Sequence, residues 1–296
     1  MYALSKKSEK KHKYVNIRTM SKVNKEEFFI KQFNRESKVI GDDGAVIKDL
    51  VYSCDAFFED VHFKKEWMSL KQIARKAMLV NISDAIAMNA KPKYALLSVA
   101  IPKEFSKKDI KKLASGFLDI ANLYGIEIIG GDTISNIKLD ISITIISKTK
   151  RPILRNGIKK GDLLCYTGDL GTAKRDLETL LNGGIVSKKS KFIEPKLNAD
   201  FFYEISKYIN ASMDISDGLF FELERLSKQS KKGFKFFYEI PKNIACSGEE
   251  YELLFSFPSK YYSKIEKIAK KHNVALNIFA KATKGKFRCD CKNHHF

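Results

Sequence analysis

The stretch MDISDGL, residues 213–219, sets Asp214 and Asp217 into an apolar run of a strongly basic chain, and VNISDAIAM, residues 80–88, repeats the pattern around Asp84. Three more segments put acids at strand ends or glycine turns: GDDGAV with Asp42 and Asp43, SCDAFFEDVHF with Asp55 and Asp60, and GGDT with Asp132. Loops at strand ends are where sites collect. Carboxylates gathered in one place repel and raise one another's pKa unless cations neutralise them. Hard divalent ions meet that need, and magnesium commonly bridges one or two protein carboxylates to substrate phosphates. Taken singly, Asp132 or Asp217 is more readily a turn or helix-cap residue. Five such segments in one chain point instead to a metal-bound nucleotide.

The rest of the composition narrows the class. The chain has 296 residues, a length that favours two domains. It has no apolar run long enough to span a bilayer, which excludes an integral membrane protein built of helices. Fifty-four basic residues against 35 acidic ones give a formal charge of +19, suited to phosphorylated ligands, nucleic acid or anionic surfaces, although solvated lysines account for it equally well. Nucleic acid is the weaker reading, because no aromatic-and-basic stretch accompanies the charge and such a site needs no acidic turns. Cys54, Cys165, Cys246, Cys289 and Cys291 form an odd, scattered set without a secretory leader, which predicts reduced thiols and a cytoplasmic setting. Residues 1–19 are rich in lysine with little amphipathic period and are predicted to be a disordered tail, with Met20 as a possible alternative start.

The elements that must position these acids alternate between helical and strand patterns, predicting an α/β or α+β fold. A short helix begins near Lys25; strands LVYSCDAFF and VHF follow; and Ser69 with Gln72, then Ser106 with Asp109, have the spacing that opens helices. YALLSVAIP reads as a buried strand, IEIIGGDT as a strand ending in a glycine turn, and LDISITIIS as the last strand of this half. Residues 148–162 read as a connection, which predicts a domain over 20–149 and another over 150–296. The second half alternates again: LLCYTG, a helix near 172–182, SMDIS, a helix through Leu219 and Leu226, FKFFYEI, SGEEYELLFSF, a helix near 260–271 and LNIF.

The common nucleotide signatures, a P-loop, a Rossmann glycine fingerprint and the protein-kinase motifs, are all missing. His62 alternates with apolar neighbours as a structural histidine would, and Glu249 reads equally well as a solvated acid. The terminal CDCKNHHF is too crowded for zinc spacing and reads as a frayed end.

Taken together, GDDGAV, DAFFEDVHF, NISDAIAMNAKP, GGDT, GDLLCYTGDLG, DISDGL and SGEEYELLF resemble, in order and near spacing, the thiamine-monophosphate kinases of the aminoimidazole-ribonucleotide synthetase-like superfamily. The likeness runs from about Met20 to Phe257. It implies a two-domain α/β subunit whose N-terminal sheet forms a barrel across a homodimer. It also implies transfer of a phosphoryl group from ATP to thiamine monophosphate with several Mg²⁺ ions. By the family's pattern Asp43, Ser53, Cys54 (through its backbone), Asp55, Asp84, Asp132, Asp214 and Asp217 would hold metal. Gly131, Asp132, Arg155 and Ser216 would contact ATP, and His62 and Glu249 the thiamine phosphate, with Asp84, Asp132 and Arg155 central to catalysis. The chain departs from the pattern in Cys54 for Thr, Glu250 for Asp and Asn293 for an aromatic residue. Another ATP-dependent enzyme of the superfamily, acting on a different small acceptor, remains the alternative.

Overall fold

A computed structural model describes residues 25–33, 37 and 39–291. Along the chain, α1 (Lys25–Phe33) precedes β1 (Ala45–Ile47), β2 (Leu50–Phe58), α2 (Leu70–Ala87), β3 (Lys91–Pro102), α3 (Lys107–Tyr124), β4 (Glu127–Asn136) and β5 (Asp140–Lys148). Then come β6 (Leu163–Thr167), α4 (Thr172–Leu181), α5 (Ala199–Ile205), β7 (Ala211–Asp214), α6 (Leu219–Ser230), β8 (Gly233–Phe236), α7 (Lys242–Ala245), β9 (Leu253–Phe257), α8 (Tyr262–His272) and β10 (Leu276–Thr283). The predicted tail, Met20 and the end from Lys292, with Asn293, lie outside the described residues.

The fold is α/β, with two five-stranded sheets ordered β1-β2-β5-β3-β4 and β7-β9-β6-β10-β8. Among the named strands of the described residues only β3 and β4 run parallel, joined by the crossover helix α3. Both long helices start where the spacing placed them. Ser69 and Gln72 close a capping box on α2, and Ser106 and Asp109 one on α3, each pairing backbone N–H groups that a helix start leaves open.

Period-two alternation gives the first sheet its two faces. Ile141, Ile143 and Ile145 of β5 turn inward with Val51 and Phe57 of β2, and α2 packs on that side. The opposite face carries Cys54, Ala56, Phe58, Tyr94 and Leu96 and stays exposed within the chain. The second sheet is covered on both sides. Leu164, Met213, Leu223, Leu226 and Phe279 form one core beneath α6, whereas Cys165, Phe255 and Phe257 join the main core with α2, α5 and α8.

Four expectations need correction. VHF is a turn and not a strand, joined only by a bridge between Glu59 and Phe63. YALLSVAIP is buried on one face alone, since only Ala95, Val99 and Pro102 are covered. GGDT does not end β4; the strand runs on through both glycines to Asn136, because β3 pairs with it residue by residue to that point. Finally, Cys246 and Cys291 form a disulfide where reduced thiols were expected. Their Cα atoms lie 5.7 Å apart, within the reach of a bridge, but their separation of 45 residues hid the pairing.

Candidate active site

Three carboxylates converge where α2, the loop before β1 and the end of β7 meet. Asp43, Asp84 and Asp214 each offer an oxygen, and these oxygens all lie within 4.8 Å of one another. Helical spacing puts Asp84 there with Ser83, whose hydroxyl donates to Asp214 Oδ2 at 2.7 Å. Asn81, on the same stretch of α2, ties the helix to β2. Its Oδ1 accepts from the backbone N–H of Asp55 at 2.7 Å, and its carbonyl accepts from the Ser53 hydroxyl at 3.2 Å. Alternation then decides what β2 presents: Ser53 and Asp55 face α2, while the Cys54 side chain points to the open face, where its sulfur lies 3.6 Å from Ser142 Oγ.

The electrostatics of this cluster are unbalanced. Burial, and then the neighbouring acids, push the carboxyls of Asp84 and Asp214 well above the ordinary carboxylate range. Burial, with Asp43, Glu249 and Asp217, takes Asp55 to about 6. Arg155, which is bonded to Asp43, does not offset that residue's desolvation, so Asp43 too is raised. The Arg155 Nη1 donates to the carbonyl of Gly41 at 3.2 Å, and its backbone N–H to Asp42 Oδ1 at 2.7 Å, fixing the loop. Among the described residues, Asp43 Oδ2 and Arg155 Nε are buried without a hydrogen-bond partner. An acceptor oxygen left bare among raised carboxyls fits a hard divalent cation, and an all-oxygen donor set suits magnesium or manganese better than zinc.

A second group lies further along the same face of α2. Lys76 is fully buried and donates from Nζ to Glu249 Oε2 at 2.6 Å, with the Phe192 ring centroid 3.9 Å and the Phe57 centroid 5.6 Å from the ammonium. The Tyr251 hydroxyl donates to Glu249 Oε1 at 2.9 Å. Burial would raise Glu249, but the Lys76 ammonium, and then the Tyr251 hydroxyl, hold it below the usual range. His62 stacks on Phe57 at 5.6 Å, and its Nδ1 accepts from the Phe58 N–H at 3.0 Å, which leaves the proton of the neutral ring on Nε2.

Residues 249–252 extend the β7–β9 pairing. The Glu249 N–H donates to the Ser216 carbonyl at 2.7 Å and the Tyr251 N–H to the Ile215 carbonyl at 2.8 Å. That ladder brings Glu249 beside Ser216 and the end of β7. Gly218 takes φ 121°, and a Cβ there would stand 3.1 Å from the Cys246 carbonyl carbon, so the turn after Asp217 needs glycine. Asp217 itself turns to Arg225, which pairs with it at 2.6 Å and with the buried Glu222 at 2.7 Å.

Residues 41–149 match the family described as AIR synthase related protein, N-terminal domain. The thiamine-monophosphate kinase of Aquifex aeolicus (strain VF5) is 30% identical over 256 residues, 77% of this chain and 83% of that protein. That of Buchnera aphidicola subsp. Schizaphis graminum is 33% identical over 270 residues, 81% of this chain and 83% of the relative. The chain belongs to the thiamine-monophosphate kinase family. The solved structure of AaThiL complexed with AMPPCP and TMP superposes with a TM-score of 0.82 at 26% identity, covering 92% of this chain and 97% of that one. The HypE–HypF complex, at TM-score 0.73 and 18% identity, shares the fold.

Of the residues that the family pattern singles out, the fold thus gathers Asp43, Ser53, Asp55, Asp84, Asp214 and Arg155 at one end of the α2 face and His62 and Glu249 at the other. Asp217 and Ser216 border both. Gly131 and Asp132 stand apart. They lie on β4, with β3 and β5 between them and β2, about 14 Å away at ordinary strand spacing. Gly131 has φ 142°, and a Cβ there would fall 1.8 Å from the Leu97 carbonyl oxygen, so only glycine fits. Asp132 is exposed and accepts from the Thr133 N–H at 2.9 Å.

The motif pattern missed Lys76, Ser83, Glu222 and Arg225. For Ser83 and Asn81 a signal existed, since short polar side chains inside a helix are poor helix formers unless they bond to something else. Lys76 gave none, because a lysine in a helix ordinarily reads as solvated.

Proposed function

We propose that the chain transfers the γ-phosphoryl group of ATP to the phosphate of thiamine monophosphate. The bond from the γ-phosphorus to the bridging oxygen breaks, one from an acceptor phosphate oxygen forms, and ADP and thiamine diphosphate leave. The observation that carries this reading is the trio Asp43, Asp84 and Asp214, with a bare buried oxygen beside Arg155, in a chain that matches thiamine-monophosphate kinases along most of its length. A solved relative holds AMPPCP and TMP together.

An acceptor phosphate is already anionic near neutrality, so no side chain has to take a proton from it. The obstacle is repulsion between two polyanions. Asp43, Asp55, Asp84 and Asp214 would hold Mg²⁺ with the Ser53 hydroxyl and the Cys54 backbone, Asp217 a further ion, and Asp132 would contribute from its strand; bound Mg²⁺ supplies the charge that offsets the repulsion. The chain's own work is positional. Asn81 and Ser83 lock the acids, and Asp42 and Gly41 fix Arg155 with its Nε free to meet the transferring group. Ser216 and Gly131 would contact the nucleotide, and His62 and Glu249 the acceptor.

The uncovered apolar face of the first sheet supports a homodimer closed as a barrel, in which Gly131 and Asp132 at the bare edge would serve nucleotide at the joint. We assign residues 20–149 to that dimerisation and nucleotide domain and 150–296 to the second. A small-molecule phosphotransferase of this kind works in the cytoplasm; no helix among the described residues is long and apolar enough to cross a membrane. ADP release in Mg²⁺ that requires thiamine monophosphate tests the activity. Absence of turnover with that acceptor, alongside turnover with another phosphate or oxygen acceptor, would overturn it in favour of a different superfamily enzyme.

A further inference from the structure

We propose that Lys76 is a positioning residue for acceptor choice: by holding Glu249 as an acceptor-only carboxylate at the far end of the α2 face, it makes the site select a heterocycle bearing an amino group. The inference rests on the proposed acceptor, thiamine monophosphate, and names how one part of it is read.

The argument is geometric. Lys76 and Asp84 lie eight residues apart on one helix, about 12 Å along its axis, so Lys76 supports Glu249 from the end of the helix face away from Asp84. Each Glu249 oxygen already accepts one hydrogen bond, Oε2 from Lys76 at 2.6 Å and Oε1 from Tyr251 at 2.9 Å, and each keeps a further acceptor position. The Glu249 side chain is 23% exposed whereas that of Lys76 is 0% exposed, so the glutamate is the more open of the pair and the ammonium stands behind it. Two aromatic rings, Phe57 and Phe192, close around Lys76, and Phe57 carries His62 stacked on it, so both residues assigned to the acceptor share this one buried support. The backbone is held under strain at the same place, with Glu249 at φ 60° and Tyr251 at φ 50°, conformations costly for residues other than glycine that persist where surroundings over-determine them. The aminopyrimidine of thiamine offers the N–H donors that such a carboxylate accepts. An oxo group in place of the amine puts a repelling lone pair at that position, and the ring N–H that such an analogue gains points in a different direction.

The test uses the full-length protein with ATP, Mg²⁺ and two acceptors, thiamine monophosphate and its oxo analogue, oxythiamine monophosphate. The unaltered protein is expected to favour the amine in kcat/KM. In Lys76→Met the KM for thiamine monophosphate should rise about tenfold or more, with kcat and the ATP KM nearly unchanged, and the preference for the amine should collapse. Lys76→Arg, which keeps a charged donor, should restore part of the preference, and Tyr251→Phe should weaken it to a lesser degree. Equal losses for both acceptors in a folded Lys76→Met, or an unchanged preference, would reduce Lys76 to a structural role and overturn the inference. If Lys76→Met does not fold, unchanged preferences in both Lys76→Arg and Tyr251→Phe overturn it equally. An unaltered protein that releases no ADP with thiamine monophosphate overturns the acceptor assignment itself, a result distinct from any of these.

Discussion

The two ends of the α2 face handle buried acid in opposite ways. At the Lys76 end an ammonium and a hydroxyl hold the Glu249 carboxyl below the usual range. At the Asp84 end burial and mutual repulsion leave Asp84, Asp214 and Asp43 raised, and Asp43 Oδ2 has no partner among the described residues. A fold able to bury a lysine for one glutamate leaves a cluster of aspartates two turns away with more buried acid than Arg155 offsets. The difference is the ground for proposing that the charge missing at the second end is supplied by a bound cation.

The largest expected effect comes from removing a cluster acid. Asp84→Asn should lower kcat about 10³-fold, the scale of losing a pre-organised electrostatic contact, while the metal-free protein melts no lower than the parent because a repelling carboxylate is gone. Steady-state kinetics and thermal melts read the two halves of that expectation, and a lower metal-free melting temperature would break the comparison. Lys191 offers the converse. It pairs with buried Glu252 at 2.8 Å and Glu250 at 3.2 Å, and Glu250 in turn accepts from the Gly171 N–H at the start of α4. Lys191→Met should cost about 3 kcal/mol of stability by denaturant unfolding, since it strands buried carboxylates, with the dependence on Mg²⁺ unchanged.

Titration sharpens the contrast. Asp55 stands at about 6 in the folded chain against an ordinary 3.8, so the folded state binds that proton more tightly than the unfolded one. Stability of the metal-free protein therefore falls as pH rises between about 4 and 6, with Asp84 and Asp214, raised further, extending the fall upward. Glu249, held low, acts in the opposite sense, its contribution fading as pH drops through its folded value. With more acids raised than lowered in this site, the metal-free melting temperature should increase from pH 7 to pH 5, and Mg²⁺ should flatten the slope. The smallest expected effect is that of Ser83→Ala, which removes the 2.7 Å bond to Asp214 and should cost about 1 kcal/mol of stability, seen as a small shift of the denaturant midpoint.

What the sequence disclosed was local. The capping spacings at Ser69 and Ser106 located both long helices, because a helix start is written in four consecutive residues. Acids beside glycine turns pointed to a charged site for the same reason. β4 was misjudged at Gly130 and Gly131, where pairing with β3 overrides the turn preference of glycine. Lys76 escaped notice because its burial depends on Phe57, Phe192 and a glutamate 173 positions away, contacts that no window of sequence contains. Arg155 drew attention only through resemblance to a family, and so did a substrate role for His62, whose alternation with apolar neighbours read as structural.

The central claim is that the aspartate cluster is built to take divalent cations. Calorimetric titration of metal-free protein with Mg²⁺, in the unaltered chain and in Asp84→Asn, tests it most directly. Saturable binding that raises the melting temperature of the first and is lost or sharply weakened in the second is the expected result; equal binding by both, or none by the unaltered chain with nucleotide present, would contradict it.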